Sequence, residues 1–470
     1  MRFSQRRHVG GAPSLRRILP TQAHTLAGAQ LQAPFEREFA PRDYVAFLLH
    51  MDAQIEHGLM VQYLYAAYSL GGPQVPNEHR DTVRSWREIL LGVAKEEMGH
   101  LITVQNVLRL IGAPLSLERE DYPWSTPFYP FPFALEPLSL DSLAKYVYAE
   151  SPKDWSGPLA NEIRGRVKKT VANPQRVGQL FETLIERLSD PEYLAEDVFQ
   201  PETTEYQADF SEWGRGYQEG KRGNASGANP KGTPDLIVSP LWSRGEAIAA
   251  LKRIAEQGEA PQSDGSAESS HFARFLKVYE EMSAADGHWN ASLPIATNPY
   301  VSLDAQATPG GTETEDEVSS PITHPQSTMW AQLHNVRYRM LLTFLEHSFY
   351  VRGTTAGVLG GTRGALINAS FGEMYNLRAI AETLMLLPLS ADGTGLAGPP
   401  FQMPYSLQLP LGEQDKWRIH LDLLDASKSL IEELQSSGND VSRRFLAACL
   451  GTDEQFRLVV KQVLGVSVPV

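Results

Sequence analysis

Two short stretches of this sequence place a glutamate three residues before a histidine. The first is Glu97 with His100 in KEEMGH, and the second is Glu268 with His271 in ESSHFARF. Residues three apart point the same way from a helix, so each pair would present a carboxylate beside an imidazole. In a helical bundle, two such pairs and one glutamate from each of two further helices bind two iron or manganese ions. This chemistry requires two more glutamates on separate helices.

Glu56 and Glu150 meet this requirement. The same-face neighbours of Glu56 are apolar, apart from Asp52 one turn earlier. These apolar neighbours are Leu49, Ala53, Leu59, Met60 and Tyr63. Glu150 ends the segment SLDSLAKYVYAE, where its same-face neighbours are Leu143, Tyr146 and Val147. The alternatives are a hydrogen-bonded core carboxylate at Glu56 and a solvated last-turn residue at Glu150.

Helical periodicity and stop signals place the candidate ligands on four helices. These predicted helices are 41–70, ended by Gly71-Gly72-Pro73, then 85–112, 139–150, and one that begins at Glu268. Further helices are predicted at 175–188 and 241–260. The chain order is Glu, Glu-x-x-His, Glu, Glu-x-x-His. Each piece alone occurs by chance in many helical proteins, but all four in this order favour a two-metal site over coincidence.

Two long connections interrupt the predicted bundle. Residues 122–133 are dense in proline and aromatic side chains, which predicts a rigid loop that covers one end of the bundle or lines a substrate entrance. Residues 214–235 are rich in glycine, asparagine and proline. Loops of this length in a compact protein are either functional or disordered.

The C-terminal part of the chain is predicted to be a second helical region. The expected division is a basic disordered tail at 1–34, a metal-binding bundle with inserted loops at 35–293, a linker at 294–328 and helices within 329–470. These last helices are predicted at 329–350, 365–387, 414–435, 440–450 and 452–464. His334, His347 and Glu373 lie on them. We interpret these three as ordinary polar residues of a domain that packs on the bundle, rather than as a second site.

The amino-acid composition argues against some classes of binding partner. The net charge of −14 argues against a nucleic-acid or anionic membrane surface, so a small molecule is the better partner. The single cysteine, Cys449, excludes a cysteine-ligated metal site and fits a reducing compartment, which predicts a cytoplasmic location. We expect no membrane span, since no run of about 18 apolar residues occurs. The arginines near the N-terminus precede no apolar segment of the kind that a signal peptide needs.

Several segments resemble one known family. HMDAQIEHGLMVQYLYAAYSL, KEEMGH, AIAALKRIAEQGEA and SHFARF are similar to the ferritin-like domain associated with iminophenyl-pyruvate dimer synthase, an enzyme of bisindole pigment biosynthesis. The resemblance covers residues 35–285 and implies an all-α fold with a ferritin-like four-helix bundle. The ligands that it implies are Glu56, Glu97, His100, Glu150 and His271. Glu259, in the EQGEA turn, competes with Glu268 for the sixth position.

These observations predict an oxidoreductase with two iron ions, manganese being the alternative metal. Carboxylate and imidazole ligands suit both metals, and the site would use O₂ or peroxide. The substrate is expected to be a small, amino-acid-derived molecule of specialised metabolite biosynthesis, a class that the resemblance supplies. The alternatives are a non-enzymatic iron-binding or storage protein, and a bundle that has lost its metal. The sequence assigns no catalytic residue beyond the ligands and leaves homo-oligomerisation open.

Overall fold

The computed structural model describes residues 39–122, 128–171, 173–214, 234–259, 270–285, 289–301, 319–353, 361–403, 407–437 and 440–466. These residues are mainly helical, which confirms the predicted all-α class. The helices are α1 Pro41–Ser69, α2 Arg80–Leu110, α3 Leu140–Ala149, α4 Pro158–Thr170, α5 Gly178–Ser189, α6 Phe210–Trp213, α7 Arg244–Glu259, α8 His271–Ala284, α9 Pro325–Ser348, α10 Gly361–Leu384, α11 Glu413–Ser437 and α12 Asp440–Val463. Short 3₁₀ turns occur at Asn77–His79, Glu196–Val198 and Pro201–Tyr206.

Helices α1 and α2 are the two longest and pack along each other in the bundle. Helix α1 has a proline in its first position, where a missing N–H costs nothing. It ends as predicted, because Gly71 and Gly72 both adopt φ of 108°, a conformation that favours glycine. Helix α2 begins five residues before the predicted Ser85, at Arg80. The polar stretch ahead of the apolar stripe is therefore helical too.

Helices α3 and α8 pack against each other and complete the bundle around α1 and α2. The Ser139 side chain accepts a hydrogen bond from the backbone N–H of Ser142, as expected for the predicted N-cap of α3. Helix α8 corrects the sequence analysis, since it begins at His271 and not at Glu268. Ser270 is extended and accepts from the N–H of Ala273, so it caps the helix three residues later than predicted.

The C-terminal helices form a second packed unit. Helix α9 contacts α10 and α11, and α12 contacts both α10 and α11. Helix α12 is continuous from Asp440 to Val463, so the prediction of two helices at 440–450 and 452–464 is wrong. An isolated glycine such as Gly451 costs a helix about 1 kcal/mol relative to alanine, which long flanking segments tolerate.

The bundle shares a buried hydrophobic cluster with two of the C-terminal helices, α9 and α10. Tyr338, Leu341 and Leu345 of α9 belong to the same buried cluster as the apolar side chains of α1, α2, α3 and α8. At this contact the Tyr338 hydroxyl also lies within hydrogen-bond distance of His57 on α1. Helix α9 therefore packs directly on the helix that carries Glu56.

The predicted linker contains the short strands β1, Pro299–Tyr300, and β2, Ser320–Pro321. They pair in parallel, with Pro299 opposite Ser320 and Tyr300 opposite Pro321. The predicted tail at 1–34 lies outside the described residues, as do 302–318 of the linker. Among the helices that the structure describes, none is long and apolar enough to cross a membrane.

Candidate metal centre

Five of the predicted ligands meet in the interior of the bundle. Glu56 is on α1, Glu97 and His100 are on α2, Glu150 follows α3, and His271 opens α8. All five side chains are buried. Four separate chain segments thus deliver carboxylates and imidazoles to one water-poor region.

His100 has two distinct polar neighbourhoods. Its Nδ1 lies 2.8 Å from Glu97 Oε2 and 3.3 Å from Glu56 Oε2. Its Nε2 lies 2.8 Å from Gln257 Oε1 on α7. The amide of Gln257 is itself oriented, because its Nε2 donates to the carbonyl of Asp235 over 2.9 Å. The Nε2–H of His100 is therefore held by an amide oxygen, while Nδ1 faces the carboxylates.

His271 is arranged in the same way. Its Nδ1 lies 3.0 Å from Glu97 Oε1 and 3.9 Å from Glu150 Oε2, and its Nε2 lies 3.0 Å from Glu96 Oε2. The two imidazoles stack with ring centroids 5.4 Å apart. Metal-binding histidines commonly give their second ring N–H to a carboxylate or carbonyl, which leaves the other nitrogen for the metal. Both histidines match that pattern with Nδ1 facing the centre.

Glu97 stands between the two histidines, with one carboxylate oxygen toward each. One ligand atom from each of Glu97, His100 and His271 lies within 4.8 Å of the other two. That spacing fits a cation held among them. Among the residues described here, this is the one group of three or more histidine, cysteine or acidic side chains with such spacing.

The family comparison agrees with this geometry. A family model described as Ferritin-like matches residues 49–280. These residues belong to the ferritin-like family. The ferritin-like domain thus takes in Glu56, Glu97, His100, Glu150 and His271, as well as the two candidates for the sixth ligand.

Two curated relatives are biosynthetic enzymes by name. Dichlorochromopyrrolate synthase of Lentzea aerocolonigenes is 28% identical over 408 residues, which cover 77% of this chain and 36% of the relative. 2-imino-3-(indol-3-yl)propanoate dimerase of Chromobacterium violaceum is 25% identical over 433 residues, which cover 84% of this chain and 37% of the relative. The chain therefore spans a little over a third of the length of these relatives. Both matches extend beyond the ferritin-like domain, since residues 49–280 are fewer than half of the 470 residues.

A solved structure is also similar to this chain. It is the crystal structure of a ferritin-like protein from Caulobacter vibrioides, 15% identical, with a TM-score of 0.44. The match covers 77% of this chain and 99% of that one.

Sequence reasoning missed the groups that hold the ligands in place. Glu96 is fully buried, and its Oε1 accepts from the backbone N–H of Asp235 over 2.8 Å. Its Oε2 accepts from the guanidinium of Arg274 as well as facing His271. The sequence signal was the doubled Glu96-Glu97, of which only the second glutamate was assigned a role. Tyr63, a same-face neighbour of Glu56, donates to Glu150 Oε1 over 2.7 Å.

The sixth ligand lies at the edge of the described structure. Glu268 is outside the described residues, and the side chain of Glu259 is not described. The sequence predicted that Glu268 and His271 lie one turn apart on the same helix. Helix α8 begins only at His271, so it does not support that prediction. Helix α7, by contrast, reaches the centre at its end, since a Cβ added to Gly258 would lie 3.0 Å from Glu150 Oε2.

Charge in the ferritin-like domain is balanced around Glu97. Burial alone would raise the pKa of Glu97, but the charge of His271 and the close approach of His100 hold it below its usual range. Burial opposes protonation of His100, yet Glu56 and Glu97 raise the pKa of this imidazole well above its usual value. The pKa of His271 is raised against burial by Glu97 and Glu96. In the metal-free centre, Glu97 and the two imidazoles therefore favour one another's charged forms.

The pKa values of three other buried carboxyl groups shift in the opposite direction to that of Glu97. Burial raises the pKa of Glu150 to about 7 and that of Asp52 to about 8, with the negative charge of Glu97 adding to both shifts. Burial and Glu97 also raise the pKa of Glu56 well above its usual value. In the absence of metal, protons therefore help to neutralise these three carboxyl groups. Metal binding displaces such protons, because carboxylate and imidazole ligands bind in their deprotonated forms.

The aromatic segment 122–133 covers part of α1. The Tyr129 hydroxyl donates to the carbonyl of Gln54 over 2.8 Å, and a Cβ on Gly58 would lie 3.1 Å from the Tyr129 ring. Tyr122 donates to the carbonyl of Pro299 over 2.6 Å. Residues 123–127 lie outside the described structure, as do 215–233 of the other predicted loop. The described part of the aromatic segment fits a cover over the bundle.

The three polar residues noted in the C-terminal region have separate partners. Glu373 Oε1 accepts from Arg337 over 2.8 Å, and Arg337 also binds Asp453. The Nδ1 of His347 lies 2.8 Å from the Nε2 of His420. His334 is buried against the edge of Phe401. The interpretation of these residues as parts of an ordinary helical core fits these contacts.

Proposed function

We propose that the ferritin-like domain binds two metal ions, iron in the first instance and manganese as the alternative, and that this chain is an oxidoreductase. The observation that carries the proposal is the position of Glu97 between the Nδ1 atoms of His100 and His271. Glu97, His100 and His271 would together hold metal ions at this position. The other proposed ligands are Glu56, Glu150 and either Glu259 or Glu268.

The donor set supports iron or manganese. Carboxylate oxygens and imidazole nitrogens suit both metals, whereas zinc and copper(I) sites commonly recruit thiolates. The sole cysteine, Cys449, instead contacts Asn376 in the C-terminal region. When bound, a pair of ferrous ions would supply the electrons for the reduction of O₂ or peroxide.

The protein groups have separate tasks in this proposal. Gln257 and Glu96 fix the tautomers of the two histidines, so that Nδ1 is available to a metal. Tyr63 holds Glu150 and keeps its own proton, since burial raises the pKa of this phenol well above its usual value. Buried aliphatic side chains of α1 and α2 exclude bulk water, which preserves the strength of these electrostatic contacts.

The substrate class that we propose is a small, amino-acid-derived acid of specialised metabolite biosynthesis. The name of one relative states that it dimerises 2-imino-3-(indol-3-yl)propanoate, an imino acid with an indole ring. The matched parts of this chain are longer than the 49–280 segment and overlap it, so part of the bundle and part of the remaining chain are similar to these enzymes. The relatives are a little over twice as long as this chain, so further segments could contribute to their reactions.

Metal analysis is the first test. We expect the purified protein to contain two iron or manganese ions per chain, and His100→Ala to lose most of this metal. Anaerobically loaded protein should then consume O₂ faster with indole- or amino-acid-derived imino acids than without them, as stopped-flow absorbance would record. Oxidation far beyond two irons per chain, with a mineral core and no effect of substrate, would favour iron storage instead. Absence of metal from wild-type protein under both metal supplies would contradict the proposal.

A further inference from the structure

Asp52 is a buried carboxylate without a hydrogen-bond donor. Its side chain is 0% exposed, and among the described residues neither Oδ1 nor Oδ2 has a partner. Its neighbours differ in this respect. Glu56 faces His100, Glu150 accepts from Tyr63, and Glu96 accepts from Arg274. Asp52 is thus the acidic group at this centre whose two oxygens are left unpaired by the described structure.

The position of Asp52 directs it toward the metal centre. It lies on α1 one helical turn before Glu56, and residues four apart share a helix face. The charges of His100 and Glu97 both contribute to the pKa of Asp52, which shows that its carboxylate lies within electrostatic reach of them. The same face of α1 therefore presents two carboxylates, one turn apart, to the interior of the bundle.

A structural role does not explain this side chain. Buried polar groups in native proteins are nearly always hydrogen-bonded, and one that is not indicates a bound water, a bound ion or a functional role. An apolar residue would fill the same space without the cost of dehydrating a carboxyl group. The sequence keeps a carboxyl here on an otherwise apolar helix face, next to a site that would bind cations.

We propose that Asp52 is a further carboxylate of the metal centre, which supplies negative charge to the bound cations in addition to the six predicted ligands. This inference rests on the proposed two-metal function. Four glutamates balance the charge of two divalent ions, while Glu96 is paired with Arg274. The negative charge of Asp52 then favours a centre whose ions carry more positive charge, as they do after oxidation.

The test compares Asp52→Asn with Asp43→Asn. Asparagine keeps the shape of aspartate but not its charge, and Asp43 is exposed on the first turn of the same helix. Bound iron and manganese would be counted per chain, the ferrous dissociation constant measured by chelator competition, and iron retention measured after oxidation in air. Thermal unfolding of the metal-free proteins would be recorded in parallel.

We expect Asp43→Asn to match wild type in every measurement. Asp52→Asn should bind ferrous iron about tenfold or more weakly and lose more iron after oxidation. Metal-free Asp52→Asn should melt close to metal-free wild type, because an amide of the same shape replaces a carboxyl that has no hydrogen-bond partner among the described residues. Metal affinity within twofold of wild type, or a clear loss of metal-free stability, would overturn the inference and make Asp52 a structural residue. Absence of metal from wild type itself would instead overturn the proposed function.

Discussion

The Nε2 of His271 lies 3.0 Å from Glu96 Oε2, on the opposite side of the ring from Glu97. Glu96 is also fixed by the guanidinium of Arg274 and by the backbone N–H of Asp235. A neutral His271 that donates from Nε2 must carry its lone pair on Nδ1, which faces Glu97 and Glu150. The two adjacent glutamates on α2 therefore have different roles, since Glu97 faces the centre while Glu96 orients His271.

The first prediction concerns Glu96. Glu96→Ala removes the acceptor of His271 and leaves the charge of Arg274 buried, so metal affinity should fall about 10- to 100-fold. The measurement is the ferrous dissociation constant of the purified variant, with the exposed Glu88→Gln of the same helix as the control. Wild-type affinity in Glu96→Ala would show that His271 is oriented by other contacts.

The second prediction concerns the sixth ligand. The end of α7 reaches the centre through Gln257 and Gly258, whereas α8 stops short of Glu268. We therefore expect Glu259→Gln to lose bound metal and Glu268→Gln to retain it. Metal counted per chain in the two variants decides between them. The reverse pattern would support Glu268, which the sequence favoured because it was predicted to share a helix with His271.

The third prediction uses a glycine that adjoins a candidate ligand. A methyl group at position 258 would lie 3.0 Å from Glu150 Oε2, so Gly258→Ala should displace this carboxylate without a change of charge. We expect weaker metal binding in a folded protein. Gly165→Ala on α4 is the matched control, because a Cβ there meets no atom within 4 Å. Its helix should gain up to about 1 kcal/mol in stability. Equal metal affinity in both variants would show that position 258 does not affect the metal centre.

The fourth prediction concerns the pH dependence of metal-free stability. The pKa values of Glu150 and Asp52 are raised to about 7 and about 8, so the folded chain binds protons that the unfolded chain has released above about pH 4. The free energy of unfolding should therefore fall as the pH rises from about 5 to about 8. The raised pKa values of His100 and His271 act in the same direction near neutral pH.

Unfolding in the presence of a chelator, followed at several pH values, measures this slope. Glu97 contributes with the opposite sign, but only in more acidic solution, since its pKa is lowered in the folded state. Metal-loaded protein should not show the same loss, because its ligands bind in deprotonated form. Rising metal-free stability between about pH 5 and about pH 8 would contradict the assigned direction of the carboxyl shifts.

Sequence periodicity located most of the elements that deliver the site, because the ligand positions lie on strongly apolar helix faces. It placed Glu56, Glu97 and His100 on two long helices that the structure also contains. It misplaced the start of α8. The helix begins after the Ser270 cap, and not at Glu268 as the periodicity predicted. Local signals of this kind decide helix ends and cannot be weighed from hydrophobic spacing alone.

The contacts that orient the ligands were beyond sequence reasoning for a different reason. Gln257 and Asp235 come near α2 only through tertiary packing of α7 and the segment before it. The unpaired oxygens of Asp52 likewise became evident only once all surrounding side chains were placed. A single sequence gives the residue types of a site, whereas its hydrogen-bond partners follow from how the helices meet.

The last prediction concerns the phenol of Tyr63. Its O–H donates to Glu150 Oε1 over 2.7 Å, and its ring packs edge-on against Tyr146 and Phe275. Tyr63→Phe keeps the packing and removes the donor, so Glu150 should become less fixed and ferrous affinity should fall about tenfold. Tyr146→Phe is the matched control, because the described structure gives the Tyr146 hydroxyl no partner.

Tyr146→Phe should leave metal affinity unchanged and stability equal or slightly higher, since a buried unsatisfied hydroxyl costs free energy. The ferrous dissociation constant and the thermal midpoint of both variants separate the two effects. A loss of stability without a change of metal affinity in Tyr63→Phe would make this hydrogen bond a structural one. Equal metal affinity in the two variants would mean that Glu150 is positioned by its backbone at the end of α3, and not by the phenol.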